Sequence, residues 1–244
     1  MFLVGGPAFS GTTLLALMLN QANIICLDEP DFHSLSQCHR SIPLLSSMFP
    51  TTQFPDHPLR DLTYREATRL IEACEKALGS YELGIKTCDR VFLGYAEVYR
   101  QHGFPVIAIF RDIRDVMVRQ LEHWVSEESL NRINRVIWEQ RSEFDVWLRY
   151  EDLISEPDRE IARVSAAIGR PLEVKRTWAE SDVQPSMLKT ERHQLLKGHK
   201  LSASRVGLWK SSGKRFSRET HRTATIMGYE KQRHHLLRSR RTDP

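Results

Sequence analysis

Long apolar runs are missing from this sequence. Of its 244 residues 41% are hydrophobic, yet no stretch approaches the roughly 20 apolar residues that cross a bilayer. No membrane span is therefore expected. The start, Met1-Phe2-Leu3-Val4, runs straight into a glycine turn. It lacks the basic n-region and long apolar h-region of a signal peptide, so a cytoplasmic location is expected. Cysteine is scarce: Cys26, Cys38, Cys74 and Cys88 form no C-x-x-C pair. Reduced thiols are the simplest reading, and no Cys/His quartet has the spacing of a zinc site. No aromatic residue interleaves with the basic run His234 to Arg241, so it carries no nucleic-acid signature.

What is present is ordinary globular composition, with 27% charged residues and enough apolar residues for a core. The net charge of +4 conceals an asymmetry. From Arg205 to Arg241 eleven Lys/Arg face two acids, Glu219 and Glu230, a surplus of nine; the remainder carries −5. A basic segment of this kind suits a phosphorylated ligand or stands as a solvated tail.

Strand and helix patterns alternate. Phe2 to Val4 reads as a strand and Thr12 to Gln21 as a helix. Ile24-Ile25-Cys26-Leu27 reads as a buried strand. Residues 30 to 62 are rich in Pro, Ser, His and Thr and read as irregular or short helical structure, a pattern often found in substrate lids. Thr63 to Leu78 reads as a helix opened by a capping box, Thr63 with Glu66 three residues on, and stopped by Gly79.

Glu82 to Lys86 reads as a strand and Val91 to His102 as a helix. Pro105 to Phe110 is an unbroken apolar run suited to a central parallel strand. Helices are expected over Asp112 to Val125, Leu130 to Arg141, Asp158 to Ile168 and Arg218 to Met227, with a strand at Val146 to Tyr150. No internal repeat is visible.

This alternation predicts a single three-layer α/β domain over residues 1 to 230, with a basic tail from 231 to 244. Its centre is a parallel sheet of about four to five strands flanked by helices, and the loop and resemblance described below imply a P-loop-like nucleotide-binding fold. Ligands bind outside the carboxyl ends of such strands. The residues that should converge there are the loop after Val4, Asp28-Glu29, Lys86, Arg111 and Tyr150-Glu151-Asp152.

Gly5-Gly6-Pro7-Ala8-Phe9-Ser10-Gly11-Thr12-Thr13 joins the first strand to the first helix. Free backbone N–H groups and the helix dipole make such a loop an anion site. Gly6-x-x-x-x-Gly11 has Walker A spacing, but Thr12 stands where the lysine belongs. A nucleoside triphosphate enzyme needs that cation. A small-molecule P-loop kinase is thereby disfavoured, and a turn without a ligand stays open.

Four ordered stretches resemble the sulfotransferases that use 3′-phosphoadenosine 5′-phosphosulfate (PAPS). They are Pro7 to Leu15; Arg111-Asp112-Ile113-Arg114-Asp115 followed by Arg119; Tyr150-Glu151-Asp152-Leu153 with Pro157; and Gly207-Leu208-Trp209-Lys210 followed by Met227-Gly228-Tyr229-Glu230. Together they span about residues 2 to 230 of the chain.

The resemblance implies that Pro7, Ala8, Phe9, Ser10, Gly11, Thr12 and Thr13 cradle the 5′-phosphosulfate. It also implies that Arg111 and Arg119 hold the 3′-phosphate, with Arg205 and Gly207 in the C-terminal phosphate-binding stretch. For Arg111 an ion pair with Asp112, Asp115 or Glu151 is the other reading.

The sequence departs from the family at four positions. Phe9 replaces the basic loop residue, Cys88 a histidine, Arg119 a serine and Ile113 a proline. Lys86 is the candidate replacement for the missing loop cation. For the base that takes the acceptor proton, Glu29 comes first and His33 second. Asp89 is third and is also a plausible helix cap.

The implied reaction moves a sulfuryl group to a hydroxyl or amine, releases 3′,5′-adenosine bisphosphate and needs no metal. A catalytically impaired member that only binds nucleotide or anion is the alternative. The acceptor, whether small molecule, carbohydrate or peptide, is not legible, nor is the oligomeric state. Residues 30 to 62 and loops near 125 to 135 and 180 to 205 are expected to shape its pocket. His33, His39, Arg40 and Phe54 are possible contacts.

Overall fold

The structure is a computed structural model that describes residues 1–21, 23–30, 32–34, 41–120, 126–177 and 201–229, with backbone alone at 119 and 120. Five strands, β1 (Phe2–Gly5), β2 (Ile24–Asp28), β3 (Glu82–Lys86), β4 (Val106–Phe110) and β5 (Val146–Arg149), form one sheet in the order β2-β3-β1-β4-β5. Every pairing is parallel. All five carboxyl ends therefore open on the same edge of the sheet.

Burial on both faces explains the apolar strands. Along β1, Phe2 and Val4 enter one core and Leu3 the other; along β4, Ile107 and Ile109 oppose Val106, Ala108 and Phe110. A period of two sends alternate side chains to opposite faces. Strands covered on both sides must then be apolar throughout.

Helices α1 (Thr12–Leu19), α7 (Tyr150–Ser155) and α8 (Pro157–Ile168) cover one face. Helices α2 (Ser41–Met48), α3 (Tyr64–Leu78), α4 (Asp89–Gln101), α5 (Ile113–Gln120), α6 (Glu127–Glu139) and α9 (Arg218–Ile226) contribute to the other. The expected three-layer α/β architecture is the observed one.

The capping box is present: the Thr63 hydroxyl accepts from Glu66 N, and the Glu66 carboxylate accepts from Thr63 N. Other boundaries differ from expectation. Helix α6 starts at Glu127, not Leu130, because Ser126 caps it by accepting from Ser129 N. Residues 127 to 135 are therefore helix rather than pocket loop. Helix α4 starts at Asp89, two residues early. Strand β5 ends at Arg149, and Tyr150 opens a short helix that was not expected. Helix α5 is described to Gln120; residues 121 to 125, 178 to 200 and the tail from 231 lie outside the described residues. No helix among the described residues is long and apolar enough to cross a membrane.

Candidate functional site

Strand order decides which charged residues meet. Strand β1 lies at the centre of the sheet, between β3 and β4. Along the carboxyl edge the chain sets, in sequence, Asp28 and Glu29 at the end of β2, Lys86 closing β3, the glycine loop after β1, Arg111 after β4, and Tyr150 and Glu151 after β5.

The loop between β1 and α1 turns through two glycines with positive φ. Gly6 sits at φ 146°, where a Cβ would lie 2.2 Å from the Ile109 carbonyl oxygen. Gly11 sits at φ 107° and opens α1 without a capping side chain. A helix opened this way presents its first-turn amides to an anion. The Ser10 hydroxyl is fully buried beside Gly6 and has no hydrogen-bond partner among the described residues. Buried hydroxyls are nearly always satisfied, which sets this one apart.

Among the described residues three non-glycine residues have positive φ: Phe9 (64°), Glu29 (49°) and Asp89 (54°). All three belong to this edge. Such conformations cost roughly 1–3 kcal/mol each and cluster where function demands them.

Lys86 is buried and bridges two acids. Its Nζ lies 2.8 Å from Asp28 Oδ1 and 2.7 Å from Glu29 Oε1. The Glu29 side chain is 57% exposed, so one end of this triad faces solvent. Burial works against the Lys86 charge, but the surrounding Cys88, Asp28 and Glu29 outweigh it and hold the ammonium well above its usual pKa. Burial also pushes the Cys88 thiol up to about 12. Cys88 is therefore a neutral thiol at ordinary pH, and the two carboxylates carry the pairing. Thr12, at the Walker lysine position, is buried with its Oγ1 3.4 Å from Cys88 Sγ.

Asp89 corrects the helix-cap reading. Cys88 occupies the cap position of α4, and the Asp89 carboxylate reaches the glycine loop instead, accepting from Ala8 N at 2.9 Å. Its own N–H donates to Gly6 O at 3.0 Å. Asp89 thus ties the loop at two points. The sequence offered no signal for this, because β3 and β1 are neighbours only in space.

On the other side of the loop Arg111 is 1% exposed. Its Nη2 donates to the Arg205 carbonyl, lies 3.6 Å from Asp115 Oδ2, and the guanidinium sits 4.6 Å above the Tyr150 ring. Of the three acids considered as its ion-pair partner, Asp115 is the one found. Arg111 Nε has no partner among the described residues.

The segment over Arg111 is held by Asp115, whose carboxylate accepts from Gly207 N at 2.7 Å and Trp209 N at 2.9 Å. Arg114 stacks 4.0 Å over Trp209 and forks onto Asp112. The Arg205 carbonyl therefore sits on Arg111, and Gly207 on Asp115 beside it. Glu151 accepts from Asp112 N at 3.1 Å, and burial raises its pKa to about 7. Arg119 lies on α5, and its side chain is outside the described residues.

His33 belongs to a different cluster. Its ring lies 4.9 Å from that of Tyr64 and 5.7 Å from that of Tyr95, and no described hydrogen bond or ion pair joins it to the Lys86 triad. Phe54 packs against the core. His39 and Arg40 lie outside the described residues.

Comparison with known proteins agrees with this arrangement at the level of fold. No protein-family model and no curated protein matches the chain. Among solved structures, the sulfotransferase domain of the Synechococcus PCC 7002 olefin synthase matches with a TM-score of 0.61 at 15% identity, over 94% of each chain. A mouse sulfotransferase complexed with PAP matches at 0.49 and 12% identity, over 97% of this chain and 86% of that one. Retinol dehydratase in complex with retinol and PAP matches at 0.44 and 13%, over 92% and 79%. The chain has the sulfotransferase fold.

Proposed function

We propose that this protein transfers a sulfuryl group from PAPS to a hydroxyl or amine of an acceptor, with residues 1 to 230 as one catalytic unit. The observation that carries the reading is the order of groups along the sheet edge. The glycine loop with its orphan Ser10 hydroxyl is flanked by Arg111 on the β4 side and by Lys86 and Glu29 on the β3 and β2 side. A nucleotide with two anionic ends needs two anion sites, and adjacent strands lie ~4.8 Å apart. The 5′ end sits on the loop and the 3′-phosphate at Arg111, whose hold on the Arg205 carbonyl and Asp115 must open to receive it and whose Nε has no partner among the described residues. The sulfuryl group then faces Lys86 and Glu29.

Chemistry follows from that order. The acceptor oxygen or nitrogen attacks sulfur, and the bond from sulfur to the bridging oxygen breaks. The electron pair stays on the 5′-phosphate of adenosine bisphosphate. Lys86 stabilises the charge that develops there, in place of the cation absent at Phe9. A preorganised donor of this kind contributes about 3 kcal/mol to the transition state. Glu29 is the group in the triad open to solvent, and it takes the acceptor proton. The aromatic packing of His33 favours Glu29 over it as the base.

Calorimetry with adenosine bisphosphate tests the nucleotide reading. The unaltered protein should bind it, and Arg111→Ala should weaken binding by about a hundredfold, with circular dichroism reporting that the fold is retained. Equal binding by a folded Arg111→Ala protein sinks the assignment. Labelled PAPS with a panel of alcohols and amines then reads turnover. Nucleotide binding without transfer to any of them favours the non-catalytic alternative.

A further inference from the structure

Charge at the loop does not balance. On the β2–β3 side of the anion cradle stand three carboxylates, Asp28, Glu29 and Asp89, and one ammonium, Lys86, while Arg111 lies across the loop. The loop adds no cation of its own at Phe9 or Thr12. An incoming sulfate or phosphate oxyanion brings more negative charge to a site already in deficit of positive charge.

Asp89 is the carboxylate best placed to answer that deficit. Its Oδ1 occupies the Ala8 amide inside the loop. Its backbone is held at φ 54° with N–H on the Gly6 carbonyl. The groups that face it are the Ala8 amide from the loop, Glu29 from the end of β2 and Lys86 from the end of β3, with Cys88 preceding it in the chain. Glu29 and Lys86 act on its charge in opposite senses. The Ser10 hydroxyl in the same loop is buried and unpartnered among the described residues.

We propose that anion binding at the loop draws one proton onto Asp89. Its carboxyl oxygen keeps the Ala8 amide while its new O–H donates to the oxyanion, which supplies the hydrogen-bond donor missing at Phe9. The proton comes from solvent, and no covalent bond other than O–H forms or breaks. Burial raises the Asp89 pKa against the pull of the Ala8 amide. The inference deepens the functional reading above and rests on it for the identity of the anion.

Asparagine is the natural test because it imitates the neutral acid at every pH. Its carbonyl can accept from Ala8 N, and its NH2 is a permanent donor. The first probe is inorganic sulfate, which does not titrate between about pH 5.5 and pH 8, read by calorimetry or by its shift of thermal unfolding.

The unaltered protein should bind sulfate more tightly as pH falls, by up to about tenfold per unit for one proton. Asp89→Asn should bind with little pH dependence, and more tightly than the unaltered protein at about pH 8. A second arm titrates adenosine bisphosphate in two buffers of different ionisation enthalpy, where Asp89→Asn should take up up to about one proton fewer.

Sulfate binding that ignores pH, or that keeps its pH dependence in Asp89→Asn, overturns the proposal. Loss of the dependence in Glu29→Gln instead of Asp89→Asn overturns it as well. Sulfate binding that behaves as expected, with no binding of adenosine bisphosphate, supports the role of Asp89 and sinks the nucleotide reading alone.

Discussion

Lys86 and Asp28 stand opposite each other in the register of two parallel strands, and Nζ lies 2.8 Å from Oδ1 with both side chains 3% exposed. An ammonium this deep is charged only because its partners are present.

Asp28→Ala should therefore destabilise the protein by about 3 kcal/mol, because it leaves Lys86 with Glu29 alone. Urea unfolding measures this. The double change Asp28→Leu with Lys86→Met should recover most of the loss, since a packed apolar pair carries no desolvation cost. It should still lack turnover. Recovery of stability without activity separates the ion pair's chemical role from its structural one.

Ser10→Ala should act in the opposite direction on stability. The hydroxyl is buried and unpartnered among the described residues. Removing it should raise stability by up to about 1 kcal/mol. Sulfate affinity should fall by several-fold to about tenfold, the worth of one lost hydrogen bond to an anion. Unchanged sulfate affinity would mean that the hydroxyl does not face the anion.

Glu151 should make stability depend on pH. Burial raises its pKa from 4.5 to about 7, opposed by the Asp112 amide and other hydrogen bonds. The folded chain therefore holds a proton that the unfolded chain has already released between those values. The contribution of Glu151 is fully present below about pH 4.5, declines as pH rises through about 7, and levels off above that. Its size is at most about 3 kcal/mol. Glu151→Gln should flatten this slope and be the more stable protein above about pH 7. Urea midpoints at acidic and alkaline pH read the difference between the two chains, which removes the parallel slopes of Asp89 and Asp115.

Much of the fold was legible because local patterns carry it. The apolar run before Arg111 could only be a strand covered on both faces, and Thr63 with Glu66 marked a helix start that the structure reproduces. Helix α2 is the short helical structure read within residues 30 to 62, its bounds blurred by its own composition. Its Ser and Pro residues read as breakers, yet Pro43 lies in the first turn, where a missing N–H costs nothing. Helix α7 is six residues long, too short to show a period.

The site was legible as a set of charged residues at strand ends, but their partnerships were not. Glu29, Lys86 and Arg111 were named from sequence. The pairing of Lys86 with Asp28, the hold of Asp115 on Gly207 and Trp209, and the reach of Asp89 to Ala8 all join residues far apart in the chain.

By itself the sequence determined the alternation of strands and helices, the glycine loop after β1 and the absence of a loop lysine. Each of these is written in neighbouring residues, where turn geometry, helix dipole and apolar period act over a few positions. Only the tertiary structure decided that β1 lies between β3 and β4. Crossover helices separate strands that pair, so no local pattern records which strands are adjacent. That adjacency brings Asp89 onto the loop from one side and Arg111 to it from the other. It turns a list of charged residues into one row along the sheet edge.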